Sequence, residues 1–598
     1  MTTETIKNQI SRLKGILLGV FTLLIISTAS TIYYAISKDN LFILAFFSLL
    51  FPLYYKLYFK YKKYKDLKRL LRIRRVWGEE VDRERDFKKI RSFFDTTVDK
   101  GDQDQDIIDE QTWGDLNLDQ VYKKLDRTYT SPGESSLYKI LRKLLFKKDE
   151  ILERSRFIRL FQTNQDLREK IQLQLDKLGR QKVNNLSDFL WGDIPAQIPF
   201  GFVLDFMALV ALISFGLLYF MGFKVLGILV VVMIVNSLLK RHVENKYLHK
   251  LSINTISYLS SLIKTAENLN NILKDTPLDK YQQELAQSVT KLKKLSRKLT
   301  YILPQDRQGD VGIVYEYLNI FFLIEVRSFN SSLGELNQNV EELQKIFSII
   351  GHLDSLQSLA SYRESLSEYT IPEFIENEED SFFELKDGFH PLLEEPVSNS
   401  IMMKEEGIVI TGSNMAGKST FLRTVGTNIL FAQTIATCLA SSYQGNLFRL
   451  ISSISKSDNI SEGKSFYYTE SERLLKLVKS AKSRIPTVCI IDELLAGTNS
   501  MERLTASKEI LEYLVDHGVL VIVATHDLEL ADILKGQYRC YHFTDNVTKN
   551  GLDFDYRLKE GVAVTSNAIK LLEYLDYPEE ITERAYRDIE RKLELKVK

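Results

Sequence analysis

Cysteine is scarce in this chain. Cys438, Cys489 and Cys540 are the only three, and they stand far apart. They offer no CxxC pair and no metal-ligand spacing, which excludes a disulfide framework and points to a reducing compartment. An excess of charge of either sign is also missing. Lys and Arg number 79 and Asp and Glu 79, so the net charge is zero and the overall balance points to no acidic partner. There is no low-complexity segment, and no repeat beyond two apolar hairpins. What the chain has in quantity is length, 598 residues and so several domains, and aromatic side chains. Many of those aromatics lie in two apolar regions that soluble domains rarely carry.

The first region begins with Gly15–Ser37, which is uncharged throughout. Leu41–Tyr55 is a second uncharged run, separated from the first by Lys38, Asp39 and Asn40. A spanning helix needs roughly 20 apolar residues, which the first run supplies and the second approaches if Lys56 snorkels. The flank Lys60–Arg75, KYKKYKDLKRLLRIRR, reads as a positive-inside signal, with binding of nucleic acid or lipid headgroups as the other reading. The second region is Phe200–Leu239. It holds the uncharged stretches Phe206–Phe223 and Val225–Leu239, with Asp205 expected at the interface and Lys240, Arg241 and His242 following. Four spans are expected, with both large polar segments in the cytosol; a buried core hairpin is the alternative for the second pair.

The stretch around which the rest is organised is Gly412–Thr420, GSNMAGKST. It fits G-x-x-x-x-G-K-[ST], follows the β-branched run Gly407–Thr411 and precedes a helically spaced segment. Strand, glycine-rich turn and helix together make a phosphate cradle rather than a chance turn. Gly412 and Gly417 let backbone N–H groups converge on phosphate oxygens. Lys418 reaches the β- and γ-phosphates, and the Ser419 hydroxyl ligands Mg²⁺. Downstream, Val488–Thr498 is an apolar strand ending in Asp492 and Glu493. Asp492 is placed to hold Mg²⁺, and Glu493 to orient the attacking water. The run Gly518–His526 ends in His526, a γ-phosphate sensor or a turn histidine.

The segment from Lys240 to about Ser367 is helical and heavily charged, the pattern of extended antiparallel helices. Several phrases then fall in order: LDRTYTSPGESSLYKIL, LDSLQSLASY (Leu353–Tyr362), HPLL (His390–Leu393), GSNMAGKSTFLRTVG, SDNISEGKSFYYTE (Ser457–Glu470), DELLAGTNS, ATHDLEL (Ala524–Leu530) and YRLKEGVAVTSNAIKLLEYLDYPEEITERA. Collinear and spaced as they are, they make the chain, from about residue 110 to its end, resemble the MutS family of ABC-type ATPases.

The resemblance implies a helical core and lever region and a C-terminal ATPase that dimerises. It makes Asn414 and Thr420 part of the ATP-binding set with Gly412, Gly417, Lys418 and Ser419. It makes Ser465 a contact to the γ-phosphate bound by the other subunit, with Gly463 permitting its approach. Tyr556 falls where the family places a ring against adenine, although a core tyrosine fits as well, and Val397 replaces a second stacking aromatic. Ser413 and Ala416 depart from the family's Pro and Gly without removing a ligand. DELLAGTNSMERL departs at positions that couple the subunits. The Phe-x-Glu wedge domain that senses mismatches is not matched; Phe374-Ile375-Glu376 spells the tripeptide but lies in the linker before the ATPase.

The expected architecture is multidomain: transmembrane helices, an all-α core and lever region, and a C-terminal α/β ABC-type P-loop domain. The expected division is 1–75 and 196–240 for the two hairpins, 76–195 and 241–371 for the helical core and levers, and 372–598 for the ATPase with its dimerisation helices. The expected function is that of a membrane-anchored, homodimeric Mg²⁺–ATPase that contacts DNA without reading mismatches. It would sit in the cell membrane, multi-pass, with the other domains cytoplasmic. A mechanical ATPase acting on protein or lipid and an ABC transporter are the competing classes, the latter weakened by few, short spans and by the lack of an LSGGQ sequence. Extraction with alkaline carbonate should leave the protein in the membrane pellet; recovery in the supernatant would refute the spans.

Overall fold

The computed structural model describes residues 3–38, 50–98, 106–181, 186–192, 198–222, 226–247, 253–299, 310–375, 381–413, 416–454, 466–495, 499–548, 551–562, 568–575 and 577–597. The chain is mostly helical, with a mixed α/β C-terminal region. It forms two compact units. One comprises Met1–Asp82, Thr128–Glu134 and Phe161–Gln357; the other comprises Arg83–Arg127, Ser135–Leu160 and Ser358–Lys598. This division differs from the linear one drawn from sequence, because much of the polar stretch between the hairpins belongs to the unit that holds the sheets.

Among its described residues the first unit's regular elements are all helices. The uncharged N-terminal run lies in the helix Thr3–Lys38, which packs against the helix Leu50–Val76 with Phe21 beside Tyr54. Much of the proposed second span, residues 41–49, lies outside the described residues, and Leu50–Val76 runs unbroken through the basic flank. That flank is partly consumed by ion pairs. Arg69 and Arg72 bond Asp176, Arg74 bonds Glu169 at 2.7 Å, and Lys177 bonds Asp66 at 2.7 Å, all onto the helix Gln165–Leu178. The helices Ile253–Ile272 and Asp279–Leu299 pack together. Asp279–Leu299 buries Leu285, Ser288, Leu292, Leu295 and Leu299, an alternating three–four spacing that keeps one seam inward.

Among the described residues two helices are long and apolar enough to cross a membrane, within Gly201–Met221 and Leu226–Tyr247. Their large side chains face outward: Phe202 is 74% exposed, Phe220 81% and Leu238 64%. Where they touch protein, they meet the helix Asp310–Phe322. Asn236 donates to Phe321 O at 2.7 Å, and Phe215 packs on Phe321 and Phe322. Asp205 pairs with Arg327 at 2.6 Å.

Two of the singled-out phrases meet in this unit. The fully buried Asp354 of LDSL accepts from Tyr129 N at 3.0 Å, Thr130 N at 2.8 Å and Thr130 Oγ1 at 2.6 Å. It thereby sits at the N-terminus of the helix Ser131–Arg142, where a carboxylate is favoured. Thr130 Oγ1 in turn accepts from Gly133 N at 3.0 Å. A Cβ on Gly133 would stand 2.1 Å from Asp354 Oδ2, so only glycine fits.

The second unit is built on a six-stranded sheet in the order Lys559–Glu560, Tyr538–His542, Gly407–Thr411, Leu520–Ala524, Thr487–Asp492 and Arg449–Ser453. All neighbours pair in parallel except the Lys559–Glu560 edge. The central strands Gly407–Thr411 and Leu520–Ala524 are buried along their whole length, as parallel strands covered on both faces must be. The helix Lys418–Thr434 follows the first of them, and its C-terminus is held by a buried cation. Arg363 donates to Ile435 O at 3.1 Å, Ala436 O at 2.7 Å and Thr437 Oγ1 at 2.7 Å. Burial pushes the guanidinium down to about 10, still well above neutrality. The charge therefore persists against the negative end of the helix dipole. A second sheet, Glu373–Phe374, Ser442–Gly445, Phe382–Gly388 and Asn399–Lys404, completes this unit with a short hairpin, Asp545–Thr548 and Gly551–Phe554.

Gly133→Ala should lower the thermal unfolding midpoint by several degrees, since a Cβ driven into a buried carboxylate costs about 2 kcal/mol or more. An unchanged midpoint would show that the Asp354 cradle does not hold this helix.

Candidate functional site

The site lies at the carboxyl ends of three adjacent parallel strands, where open α/β sheets place their ligands. Gly407–Thr411 turns at Gly412, whose φ of 140° is in the region that favours glycine. A Cβ there would also meet Phe543 O at 2.7 Å. The chain enters the helix at Lys418, which is 4% exposed. Its ammonium donates to Gly412 O at 2.8 Å and Ser413 O at 2.7 Å, and lies 3.4 Å from His526 Nε2. Ser419 Oγ donates to Asp492 Oδ2 at 2.5 Å. Glu493 follows Asp492 with a left-handed φ of 58°, its N–H donating to Ala524 O at 2.9 Å and its Oε1 lying 3.2 Å from His526 Nε2. A non-glycine residue held there costs of order 1–3 kcal/mol, and such strain concentrates at functional sites.

Lys418, Ser419, Asp492, Glu493 and His526 line a cavity of about 720 Å³, together with Gly417, Thr420, His390, Val397 and Tyr556. Tyr556 has φ 52°, its carbonyl accepts from Asn399 Nδ2 at 2.9 Å, and its ring stacks on Phe554. The ring is 43% exposed in the cavity wall and is not a core side chain. Val397 lines the same wall. Asn414, Gly463 and Ser465 lie outside the described residues.

Burial, then the nearby Lys418 ammonium, lowers the pKa of His526, against an opposing pull from Glu493 and Asp492. The ring is therefore neutral at pH 7, and its Nε2 can either donate to Glu493 or accept from Lys418, but not both. The Ser419 hydroxyl and the Asp492 carboxylate are two oxygen donors that already converge. Among the described residues no cluster of three His, Cys, Asp or Glu side chains could cage a metal. One carboxylate and one hydroxyl, with the remaining positions left to phosphate and water, suit Mg²⁺ rather than a resident zinc or calcium.

A family model, MutS domain V, matches residues 408–594. The DNA mismatch repair protein MutS of Thermotoga sp. (strain RQ2) is 32% identical over 278 residues, 45% of this chain and 34% of that protein. A MutS of Thermus thermophilus is 27% identical over 309 residues, 51% of this chain and 37% of that protein. Residues 408–594 are thus a MutS domain V, the part of the chain over which the MutS family is matched. The chain spans about a third of the length of the curated relatives it matches.

In this MutS domain the structure brings together Gly417, Lys418, Ser419, Thr420, Asp492, Glu493, His526 and Tyr556 in one cavity, with Gly412 behind it, its carbonyl accepting from Lys418. Sequence reasoning missed His390 and Asn399. His390 was visible only as part of HPLL; its Nδ1 accepts from Leu392 N at 3.3 Å. Asn399 carries no motif and acts through Tyr556 and Leu558, whose N–H it accepts at 2.7 Å.

Burial, then Arg423, pushes His390 down to about 4. A histidine whose folded pKa lies below its unfolded value of about 6.5 binds its proton more readily when unfolded, so acidification between those two values destabilises the fold. His390→Gln should therefore lose less thermal stability than the native protein between pH 7 and pH 5. Equal losses would refute the buried, neutral assignment.

Proposed function

We propose that this chain is a membrane-anchored MutS-family ATPase that binds and hydrolyses ATP with Mg²⁺ at a composite site in a homodimer, and that it contacts DNA. The observation that carries the reading is the convergence of Lys418, Ser419, Asp492, Glu493 and His526 at the ends of three neighbouring strands.

Lys418 is held at the loop by two carbonyl oxygens and would exchange them for the β- and γ-phosphate oxygens. Ser419 and Asp492 would hold Mg²⁺, which when bound neutralises charge on the phosphates. Glu493 sits at the strand end with its carboxylate on the cavity side, where it would accept a hydrogen bond from the attacking water. His526, neutral, would donate to the γ-phosphate. Tyr556 would stack on adenine, with Val397 giving only an aliphatic contact on the other side. Ser465 of a second protomer would complete the γ-phosphate shell.

The membrane anchor is supported by the outward-facing apolar side chains of Gly201–Met221 and Leu226–Tyr247, because a soluble hairpin of that composition would bury them. It is supported as well by the uncharged helical run that begins at Gly15. The sheet-bearing unit and the polar helices would then be cytoplasmic. The DNA contact rests on likeness to relatives named as DNA mismatch repair proteins.

Lys418→Ala should abolish binding of a fluorescent ATP analogue. Glu493→Gln should bind it with near-native affinity and hydrolyse ATP about 100-fold or more slowly, since a residue acting on the attacking water contributes to the transition state rather than the ground state. Native turnover by Glu493→Gln would overturn the assignment.

A further inference from the structure

Two residues of the cavity wall, Val397 and Tyr556, come from distant parts of the chain and are joined by one side chain. Asn399 opens the strand Asn399–Lys404, and its backbone pairs with Gly388 of Phe382–Gly388. Its backbone therefore belongs to the four-stranded sheet. Its carboxamide Nδ2 donates to Tyr556 O at 2.9 Å and to Val397 O at 3.3 Å, and its Oδ1 accepts from Leu558 N at 2.7 Å. Leu558 leads directly into Lys559–Glu560, the edge strand of the six-stranded sheet. A primary amide offers two donor hydrogens and an acceptor oxygen, and both kinds of group are engaged here.

The other bonds around Tyr556 are local. Asp555 Oδ1 accepts from Arg557 N at 3.1 Å, and Asp555 Oδ2 pairs with Lys559 at 2.5 Å. These bonds shape the loop but do not set its distance from Val397. The Tyr556 ring is backed by Phe554, with centroids 5.6 Å apart and planes 27° from parallel. Its Cδ1 stands so near the phosphate loop that a Cβ on Gly417 would meet it at 3.3 Å. Ring contacts thus fix Tyr556 on two sides, and Asn399 fixes its backbone toward Val397. The left-handed φ of 52° at Tyr556 is sparsely populated for a residue with a Cβ and persists only where surrounding bonds impose it. The bonds to its own carbonyl and to the N–H two residues on are such bonds.

We infer that Asn399 is a positioning residue for the nucleotide base: its carboxamide sets the spacing between Val397 and Tyr556, and through it the affinity for the base but not for the phosphates. The inference rests on the proposed ATP site with Tyr556 against the base. Stacking repays a flat ring only at close, near-parallel approach, so a wall that drifts loses it. An asparagine that only closed a strand end would, when lost, loosen the wall for every ligand alike. A spacing residue acts on the ligand that carries a base.

The test uses the full-length protein in detergent with Mg²⁺, titrated by calorimetry with ADP and with inorganic pyrophosphate, which differ by the adenosine. Asn399→Ala should weaken ADP roughly tenfold, as expected for losing several modest hydrogen bonds, and leave pyrophosphate within about twofold. The KM for ATP should rise by a similar factor with kcat within about twofold, the split expected when binding common to ground and transition states is lost. Asn399→Ala added to Tyr556→Leu should weaken ADP no further than Tyr556→Leu alone, because both act through one ring. Asn399→Asp keeps the acceptor for Leu558 N and loses the donor to Tyr556 O and Val397 O; it should give the same pattern and stands in if Asn399→Ala does not fold. Equal weakening of ADP and pyrophosphate, native affinity for both, or full additivity with Tyr556→Leu would overturn the inference. Tyr556→Leu separates the two levels. If it leaves ADP affinity native, or if the native protein binds neither ligand, the proposed site fails and this inference with it. If it weakens ADP alone while the Asn399 variants do not, only this inference fails.

Discussion

A buried ammonium is the constraint on which the site at the strand ends depends. Lys418 is almost wholly excluded from water, and a cation in that position must be surrounded by oxygen. Gly412 O and Ser413 O supply it, which is possible only because the chain turns back at Gly412 instead of continuing the strand. That turn needs a neighbour without side-chain bulk on its inner side, since Phe543 O already occupies the place of a Cβ. The parallel pairing of Gly407–Thr411 with Tyr538–His542 brings Phe543 there, and its pairing with Leu520–Ala524 brings His526 to the other flank. Lysine, glycine turn and strand order are one solution to one electrostatic problem.

The far end of the same helix meets the mirror-image requirement. Its last carbonyls lie inside protein and need donors, and Arg363 supplies three hydrogen bonds there with no acid beside it among the bonds described. The peptide dipole stands in for the counter-charge. The helix is thus fixed at its N-terminus by the loop it caps and at its C-terminus by a cation from the end of Val340–Glu364, and in its second turn by Arg423 on Asp115 O. With three anchors on one helix, the cavity-facing groups Lys418 and Ser419 are held in place by the fold itself.

The residues that converge at the strand ends were legible because their geometry is local. A β-branched run, a glycine-rich turn and a helical period fall within a few dozen residues, and an acid pair at the end of an apolar run needs only the strand direction to be placed. Tyr556 was ambiguous from sequence because its exposure is set by a left-handed backbone and by Asn399, more than 150 residues away. The discontinuous second unit was not legible for the same reason. Asp109, Thr112 and Asp115 look like an ordinary helix start, and nothing nearby shows that their partners are Ser452, Ile454 and Arg473. The Asp354 cradle lies between these cases. Both phrases stood out, but their contact could be seen only once Gly133 was found pressed against the carboxylate. In the first apolar region, composition changes sharply at Lys60 while helical preference does not. The helix Leu50–Val76 therefore runs unbroken from the apolar run through the basic flank.

The conflict stored at the centre of the site bears on how the proposed reaction would be gated. His526 Nε2 faces both Lys418 and Glu493, and a neutral ring can satisfy only one of them. While Lys418 is bonded to the two loop carbonyls, Nε2 is free to donate to Glu493, which engages one of the carboxylate oxygens. A phosphate that draws Lys418 forward would also present His526 with a better acceptor than Glu493, because it carries more charge on more oxygens. Glu493, already in a strained left-handed conformation with its N–H on Ala524 O, would then be the group released. In that order of events the carboxylate would become available to water only after phosphate has arrived, and the proposed hydrolysis would be coupled to binding by competition for a single imidazole nitrogen.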